Sequence, residues 1–255
     1  MRFASLGSGS RGNALVVEAG DTRLLLDCGF AARTTVARLE KIGIDAAGLS
    51  GVLVTHEHSD HMAGVFKLAC RFNLTVWLTH GTHAAAPRGK MQLPECRLID
   101  SHLPFAIGDL EIHPFPVPHD AREPVQYAFS DGVSRLGVLT DTGAVTPHIV
   151  DVLSACDALV LECNHDAQML ARSDYPAALK RRISGAYGHL DNDAAAALLS
   201  RIDAGRLRHV LAAHLSEQNN RPELATAALA RALDCDPAWI GVACQEQGFA
   251  WRDLR

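Results

Sequence analysis

The chain of 255 residues is 48% apolar and 21% charged, which suffices to bury a sizeable core and excludes disordered, collagen-like and fibrous classes. Lys and Arg total 24 against 29 Asp and Glu, and the net charge of −5 excludes a uniformly basic nucleic-acid glove while leaving local basic patches open. The 13 histidines outnumber Tyr, Trp and Met together, and His is both the commonest metal ligand and the usual acid or base near neutral pH.

In chain order, apolar runs at Phe3 to Leu6, Ala14 to Glu18 and Arg23 to Asp27, separated by Gly-containing turns, predict a meander of strands. A helix from Ala31 to Ile42 and a β-branched strand, Val52 to Thr55, follow, then a helix from His61 to Arg71 and a strand from Thr75 to Leu78. His80 to Leu93 reads as loop or irregular helix. Strands at Leu110 to Val117, Val125 to Ser130 and Ser134 to Thr140 come next, the last two joined by the turn Asp131-Gly132. In the second half, strands Ala158 to Glu162 and His209 to Ala213 alternate with helices at 147–154, 176–183, 192–202 and 222–233, and Trp239 to Ala243 and Phe249 to Arg252 close the chain as strands. Strands followed by helices between strands, twice over, give an α+β fold, a four-layer αββα sandwich.

The seven cysteines include no CxxC pair and read as reduced thiols, mostly small buried hydrophobes; Cys28 and Cys163 stand apart because they adjoin Asp27 and Glu162. No secretory h-region opens the chain, and no window reaches the ~18 apolar residues of a spanning helix, so the expectation is a cytoplasmic protein with no membrane partner.

Val52-Leu53-Val54-Thr55 leads straight into His56-Glu57-His58-Ser59-Asp60-His61, four potential ligands within six residues at the end of an apolar strand. In extended chain His56 and His58 share one side and Glu57 points away, and a turn lets Asp60 and His61 face a neighbouring point. Further strand ends offer His119, Asp141 and His214. Imidazoles suit Zn²⁺, and carboxylates widen the choice to Mn²⁺ or Fe. A carboxylate with two oxygens can hold two ions about 3.5–4 Å apart, and a water between them is acidified toward neutrality.

HxHxDH followed by His, Asp and His, each at the end of a strand, resembles the metallo-β-lactamase superfamily over essentially the whole chain. The resemblance implies the αββα sandwich with a site along one edge and two divalent metal ions, Zn or Mn. His56, His58 and His119 would hold the first ion, Asp60, His61 and His214 the second, and Asp141 would bridge them. Asp141 stands where common zinc β-lactamases carry a thiolate, which disfavours antibiotic hydrolysis. Ser8-Gly9-Ser10-Arg11-Gly12-Asn13, Leu25 to Gly29, Glu162 to Asp166, Gly188 to Asn192 and Ala213 to Ser216 together resemble the WalJ (YycJ)-like branch, whose members are thought to be metal-dependent phosphodiesterases or DNA exonucleases. Asp191 departs from that pattern, since a small residue such as Ser is expected there, and its charge could alter substrate contact. Only 72 residues separate Asp141 from His214, too few for an inserted β-CASP domain, so 1–255 reads as one domain.

The phosphodiesterase relatives place a non-ligand His where His189 stands; it would bind a phosphoryl oxygen and protonate the leaving alkoxide. The plain alternative is a His capping the turn before the 192–202 helix. Glu162 and His165 would orient His189 or its neighbours, or serve the fold alone. Asp27 would hydrogen-bond a metal-binding His or a turn rather than ligate. The loop 8–13, with Ser10 and Asn13, would offer backbone N–H groups to a phosphate or make a simple hairpin turn. Lys180-Arg181-Arg182 is either a solvated helix end or a track for a phosphate backbone.

The expected activity is hydrolysis of phosphodiester bonds by a dinuclear centre, as a 5′→3′ DNA exonuclease with Asp60 and His189 catalytic. The alternatives are a cyclic- or dinucleotide phosphodiesterase, a lactone or thioester hydrolase, and a non-catalytic binding module.

Overall fold

The computed structural model describes residues 1–86 and 93–254. The opening runs form β1 (Arg2–Gly7), β2 (Ala14–Ala19) and β3 (Thr22–Leu26), followed by α1 (Ala32–Lys41) and β4 (Gly51–Leu53). Next come α2 (Ser59–Met62), α3 (Val65–Phe72), β5 (Val76–Thr79), α4 (His80–Ala85), β6 (Cys96–Ile99) and β7 (Phe105–Ile107). β8 (Leu110–Pro116), β9 (Val125–Ser130) and β10 (Arg135–Leu139) lead to α5 (Pro147–Leu153) and β11 (Ala158–Glu162). The chain closes through α6 (Ala167–Arg172), α7 (Ala177–Ile183), α8 (Asn192–Leu199), β12 (His209–Ala213), α9 (Pro222–Leu233), β13 (Gly241–Val242) and β14 (Phe249–Asp253).

Two seven-stranded sheets result, in the orders β14-β1-β2-β3-β4-β5-β6 and β13-β12-β11-β10-β9-β8-β7. Because side chains alternate along a strand, Leu24 and Leu26 of β3 face the second sheet while Leu25 faces the helices outside. The inter-sheet core joins Phe3, Val17 and Leu53 to Ile112, Tyr127, Phe129 and Val160. Leu39, Val65 and Leu68 cover the first sheet, and Ile149, Leu153, Leu198 and Leu229 cover the second, giving the expected αββα layers. From its centre to one edge each sheet is parallel, β3-β4-β5-β6 and β10-β11-β12-β13, and the inner strands of these sets, buried on both faces, read as continuous apolar runs. Parallel strands bring their carboxyl ends to one edge, the usual place for a ligand crevice in such sheets.

Several elements differ from expectation. The helix expected from His61 to Arg71 is two helices, because α2 and α3 break at Gly64, where a Cβ would collide with the Phe30 carbonyl and Cys28 Sγ. Within the His80 to Leu93 stretch, α4 is a regular helix capped by Thr79 Oγ1, and 87–92 lie outside the described residues. β6, β7 and α6 carry no sequence signal strong enough to be read: β6 and β7 are short and exposed or half-buried throughout. Trp239 belongs to a 3₁₀ turn, Pro237–Trp239, so the strand expected there is only Gly241–Val242. Only Cys28, Cys156 and Cys163 of the seven free cysteines are buried, so the small-hydrophobe reading holds for three. Among the described residues no helix is long and apolar enough to cross a membrane.

Tyr127 ties the second sheet to the segment that carries the His/Asp motif: its buried hydroxyl donates to the Val54 carbonyl at 2.9 Å. Tyr127→Phe leaves that carbonyl unpaired and is expected to cost about 1–2 kcal/mol. The check is a lower urea midpoint with an unchanged slope.

Candidate metal centre

After β4 the chain leaves the sheet at Val54 and Thr55, and Asp27, just past β3, receives it. Asp27 Oδ1 accepts from Thr55 N at 2.9 Å, and Oδ2 accepts from Thr55 Oγ1 at 2.9 Å and faces His61 Nδ1 at 2.7 Å. With its Nδ1–H donated to Asp27, His61 turns Nε2 toward the cluster, where an ion would take its lone pair. That nitrogen lies 3.0 Å from Asp141 Oδ2 and 3.5 Å from Asp60 Oδ2. Thr55 Oγ1, having donated to Asp27, accepts from His56 Nδ1 at 2.9 Å, so His56 Nε2 also carries a lone pair, 3.0 Å from His58 Nδ1. His119 donates Nδ1–H to the Gly188 carbonyl at 3.0 Å, and its Nε2 lies 3.3 Å from the same His58 nitrogen.

The donor atoms of His56, His58 and His119 lie within 4.8 Å of one another, as do those of Asp60, His61, Asp141 and His214. In each group the imidazole nitrogens and carboxylate oxygens converge on one point, an arrangement that suits a cation. Asp141 Oδ2 and His214 Nε2 are buried and make no hydrogen bond, and both belong to this cluster. Nitrogen and carboxylate donors so disposed fit divalent ions, and the clustered His and Asp residues imply divalent-metal binding. Electrostatics agree. Burial opposes ionisation of Asp141, yet His214, His61 and His56 hold its pKa well below the usual range. Burial likewise opposes charge on His61, and Asp141, Asp27 and Asp60 outweigh it, keeping its pKa well above the ordinary value.

A third group overlaps the second: Asp141, Glu162, His189 and His214. Glu162 ends β11 fully buried, with Oε1 at 2.8 Å from His189 Nδ1 and 3.1 Å from His214 Nδ1. Its Oε2 accepts from the backbone N–H groups of Thr142 and Leu190. Burial pushes the Glu162 carboxyl up, but His189 and His214 bring it down to about 2. In turn Glu162 raises the pKa of His189 against the opposing effect of burial. His189 is the half-buried ring of this group, with its side chain 21% exposed, so it can meet a substrate.

Other expected participants sit elsewhere. Glu57 points away as expected and accepts from Arg122 N at 2.7 Å. Asp191 does not face the site: its carboxylate caps α8 by accepting from Ala194 N, which also relieves His189 of any capping role. His165 does not orient His189. Its ring makes no hydrogen bond among the described residues, Nδ1 being buried and unpaired, and its backbone bridges to Asp191. The loop 8–13 is no phosphate nest, because the N–H groups of Ser8, Gly9, Arg11, Gly12 and Asn13 are all spent within the protein. Ser10 is exposed at its tip, and Asn13 turns inward, with Nδ2 3.2 Å from His61 Nε2. Cys28 and Cys163 belong to none of the three donor groups; burial pushes the Cys28 thiol up to about 12 and the Cys163 thiol higher still.

Four contributors escape sequence reading. Thr55 links Asp27 to His56; Ser8 Oγ accepts from His214 N at 2.9 Å; Asn164 Nδ2 donates to the His214 carbonyl; and Asp120 Oδ1 lies 3.5 Å from His119 Nε2. The available signal was adjacency, since Thr55 and Asp120 neighbour motif histidines in the chain. A cavity of about 620 Å³ opens beside the centre past Ser8 and Leu215, edged by Glu217 and Glu246, both of which pair with Arg11.

Residues 22–210 match the family model described as a Beta-lactamase superfamily domain. The chain is 36% identical to "Exodeoxyribonuclease YycJ" of Bacillus anthracis over 240 residues, 92% of this chain and 89% of that protein. It is 31% identical to "Exodeoxyribonuclease WalJ" of Streptococcus pneumoniae over 245 residues, 94% of this chain and 91% of that one. Among solved structures, the metallo-beta-lactamase fold protein YhfI from Bacillus subtilis superposes with a TM-score of 0.75 at 16% identity, covering 98% of both chains. Human tRNase Z, short form, superposes with a TM-score of 0.68 at 16% identity over the full length of both. Whole-length likeness at that level, on a two-sheet sandwich whose strand ends gather the HxHxDH, His, Asp and His residues, means that the chain belongs to the metallo-β-lactamase superfamily, in its WalJ (YycJ)-like branch.

Proposed function

We propose that this protein is a metal-dependent phosphodiesterase that acts as a 5′→3′ DNA exonuclease in the cytoplasm, with two divalent ions, Zn²⁺ or Mn²⁺. The observation that carries the reading is the carboxylate-oriented His189 beside seven convergent donors, in a chain that matches exodeoxyribonucleases along more than nine-tenths of its length. His56, His58 and His119 would hold one ion, and Asp60, His61 and His214 the other. Asp141 would lie between the two groups, a placement supported by its Oδ2 lying 3.0 Å from His61 Nε2 and its Oδ1 3.9 Å from His119 Nε2. Bound divalent ions supply a nucleophile at neutral pH and polarise the phosphoryl group.

The protein's own residues do the rest. Asp27, Thr55 and the Gly188 carbonyl fix the rings so that the right nitrogens converge. Asp60, the part-exposed carboxylate of the set, takes the proton of the attacking water. His189, held at Nδ1 by Glu162, presents Nε2 to the phosphate and gives its proton to the departing sugar oxygen, which is a poor leaving group without one. The large side cavity is a poorer phosphate site, because Glu217 and Glu246 stand at its edge.

Protein purified without chelator is expected to carry two equivalents of transition metal, and a content below one would overturn the dinuclear reading. Asp27→Asn should weaken metal affinity by about 10–100-fold, read by competition with a chromogenic chelator. His189→Gln should slow DNA cleavage by roughly 10²–10⁴-fold at saturating metal. It should slow bis(p-nitrophenyl) phosphate cleavage far less, since that leaving group needs no proton; an equal loss on both substrates would remove the proton-donor role.

A further inference from the structure

We propose that Tyr187 and Arg182 form a subsite for the end of a single-stranded DNA, Tyr187 stacking on the base beside the scissile phosphate and the Arg182 guanidinium holding the next phosphate. This rests on the nuclease reading above and names how the same centre takes its substrate.

Tyr187 lies two residues before His189 and is 65% exposed. Singly exposed aromatics are ordinary, but this one stands on a tightly held loop. Its own carbonyl accepts from Asp120 N at 3.0 Å, Gly188 N donates to the Gly185 carbonyl at 2.8 Å, and His189 N donates to the Ile183 carbonyl at 2.8 Å. The Gly188 carbonyl holds the His119 ring. On its other side the loop lies directly on Gly143, where an added Cβ would strike Ala186, Gly185 and Gly188. The segment is therefore wedged between the chain that carries His119 and the chain that carries Asp141. The ring is presented to solvent by backbone that these hydrogen bonds and the packing on Gly143 hold in place, so stacking on it orders little further chain.

Arg182 supplies the charge. Its Nε donates to Asp120 Oδ2 at 2.6 Å, while the side chain remains 61% exposed and its terminal nitrogens make no hydrogen bond among the described residues. Asp120 thus steadies the guanidinium by one edge and leaves the other for an oxyanion, and the same carboxylate reaches to 3.5 Å from His119 Nε2. Arg181, the preceding residue, is exposed, and so is Arg122, two residues past Asp120. A basic rim with an exposed aromatic ring is the sequence-tolerant way of holding a single strand, since every base has a π-face and every linkage a charge. A duplex keeps its bases stacked on each other and offers the ring none but the frayed last base.

The test uses the metal-loaded protein with a fluorescent, phosphorothioate-protected (dT)₁₂ for binding by anisotropy and unprotected (dT)₁₂ for kinetics. Tyr187→Ala should weaken binding and raise KM about tenfold, with Tyr187→Phe and Tyr187→Trp restoring both. That loss should vanish on an oligonucleotide whose end nucleotide is abasic. Arg182→Gln should weaken binding and lower the salt slope by about one, and Arg182→Lys should keep most of both. The subsite is overturned if wild type degrades (dT)₁₂ while Tyr187→Ala binds it equally well, or if the Tyr187→Ala loss is the same with an abasic end; the nuclease reading then stands. If wild type cleaves only RNA or small diesters, the DNA reading fails and the subsite with it.

Discussion

One buried carboxylate sets the proton positions on both halves of the metal cluster. Asp27 is enclosed, and burial pushes its carboxyl up toward protonation, against the pull of His61 and Thr55. Its three hydrogen bonds, two from Thr55 and one from His61, oppose that push, and two of them have a consequence at the cluster. Taking the His61 Nδ1 proton leaves Nε2 free toward Asp141, and taking the Thr55 hydroxyl proton forces that oxygen to accept from His56 Nδ1. His61 and His56 belong to different donor groups, so a single residue one position past β3 prepares both. Glu162 plays the matching part on the other sheet, holding His189 and His214 by one oxygen and the turns after β10 and before α8 by the other.

The sandwich makes this possible because its central strands are parallel and end along one edge. Reaching back into the crevice from a strand end requires a sharp turn, and the backbone shows it. Asp27, Asp141 and His214 adopt left-handed conformations, with φ of 60°, 51° and 53°. Such conformations cost on the order of 1–3 kcal/mol each for a residue with a side chain, least for Asp, Asn and His. Those of Asp27 and His214 are held by hydrogen bonds from Asp27 N to the Leu53 carbonyl, from His214 N to Ser8 Oγ and from Asn164 Nδ2 to the His214 carbonyl. Half of the six non-glycine residues with positive φ among the described residues are thus ones whose side chains face the cluster.

The residues that gather in the donor groups were legible because their spacing within the 56–61 segment is short and because an apolar run ending in His or Asp is a visible pattern. The central parallel strands were legible for the same reason that they are buried. What sequence reading missed is what depends on contact between distant segments. Asp191 looked like a charge near His189 and turned out to cap α8; the Gly/Ser loop looked like a phosphate nest and turned out to spend its N–H groups on its own and neighbouring chain. Short edge strands such as β6 bury neither face fully and so leave no alternation to read. Thr55 and Ser8 act through one hydroxyl each, and a hydroxyl carries no periodicity.

The net charge of −5 takes on a different meaning once the carboxylates are placed. Asp27, Asp60, Asp141 and Glu162 lie in or against the cluster. They are directed inward at histidine rings rather than outward at an approaching polyanion. Two divalent ions would offset those four charges and leave the rest of the chain close to neutral. What a phosphodiester meets on arrival is then the rim, where Arg182 is exposed and occupies Asp120. Within about a Debye length of the centre the local sign is set by that rim and by the bound ions, so overall acidity does not conflict with a nucleic-acid substrate.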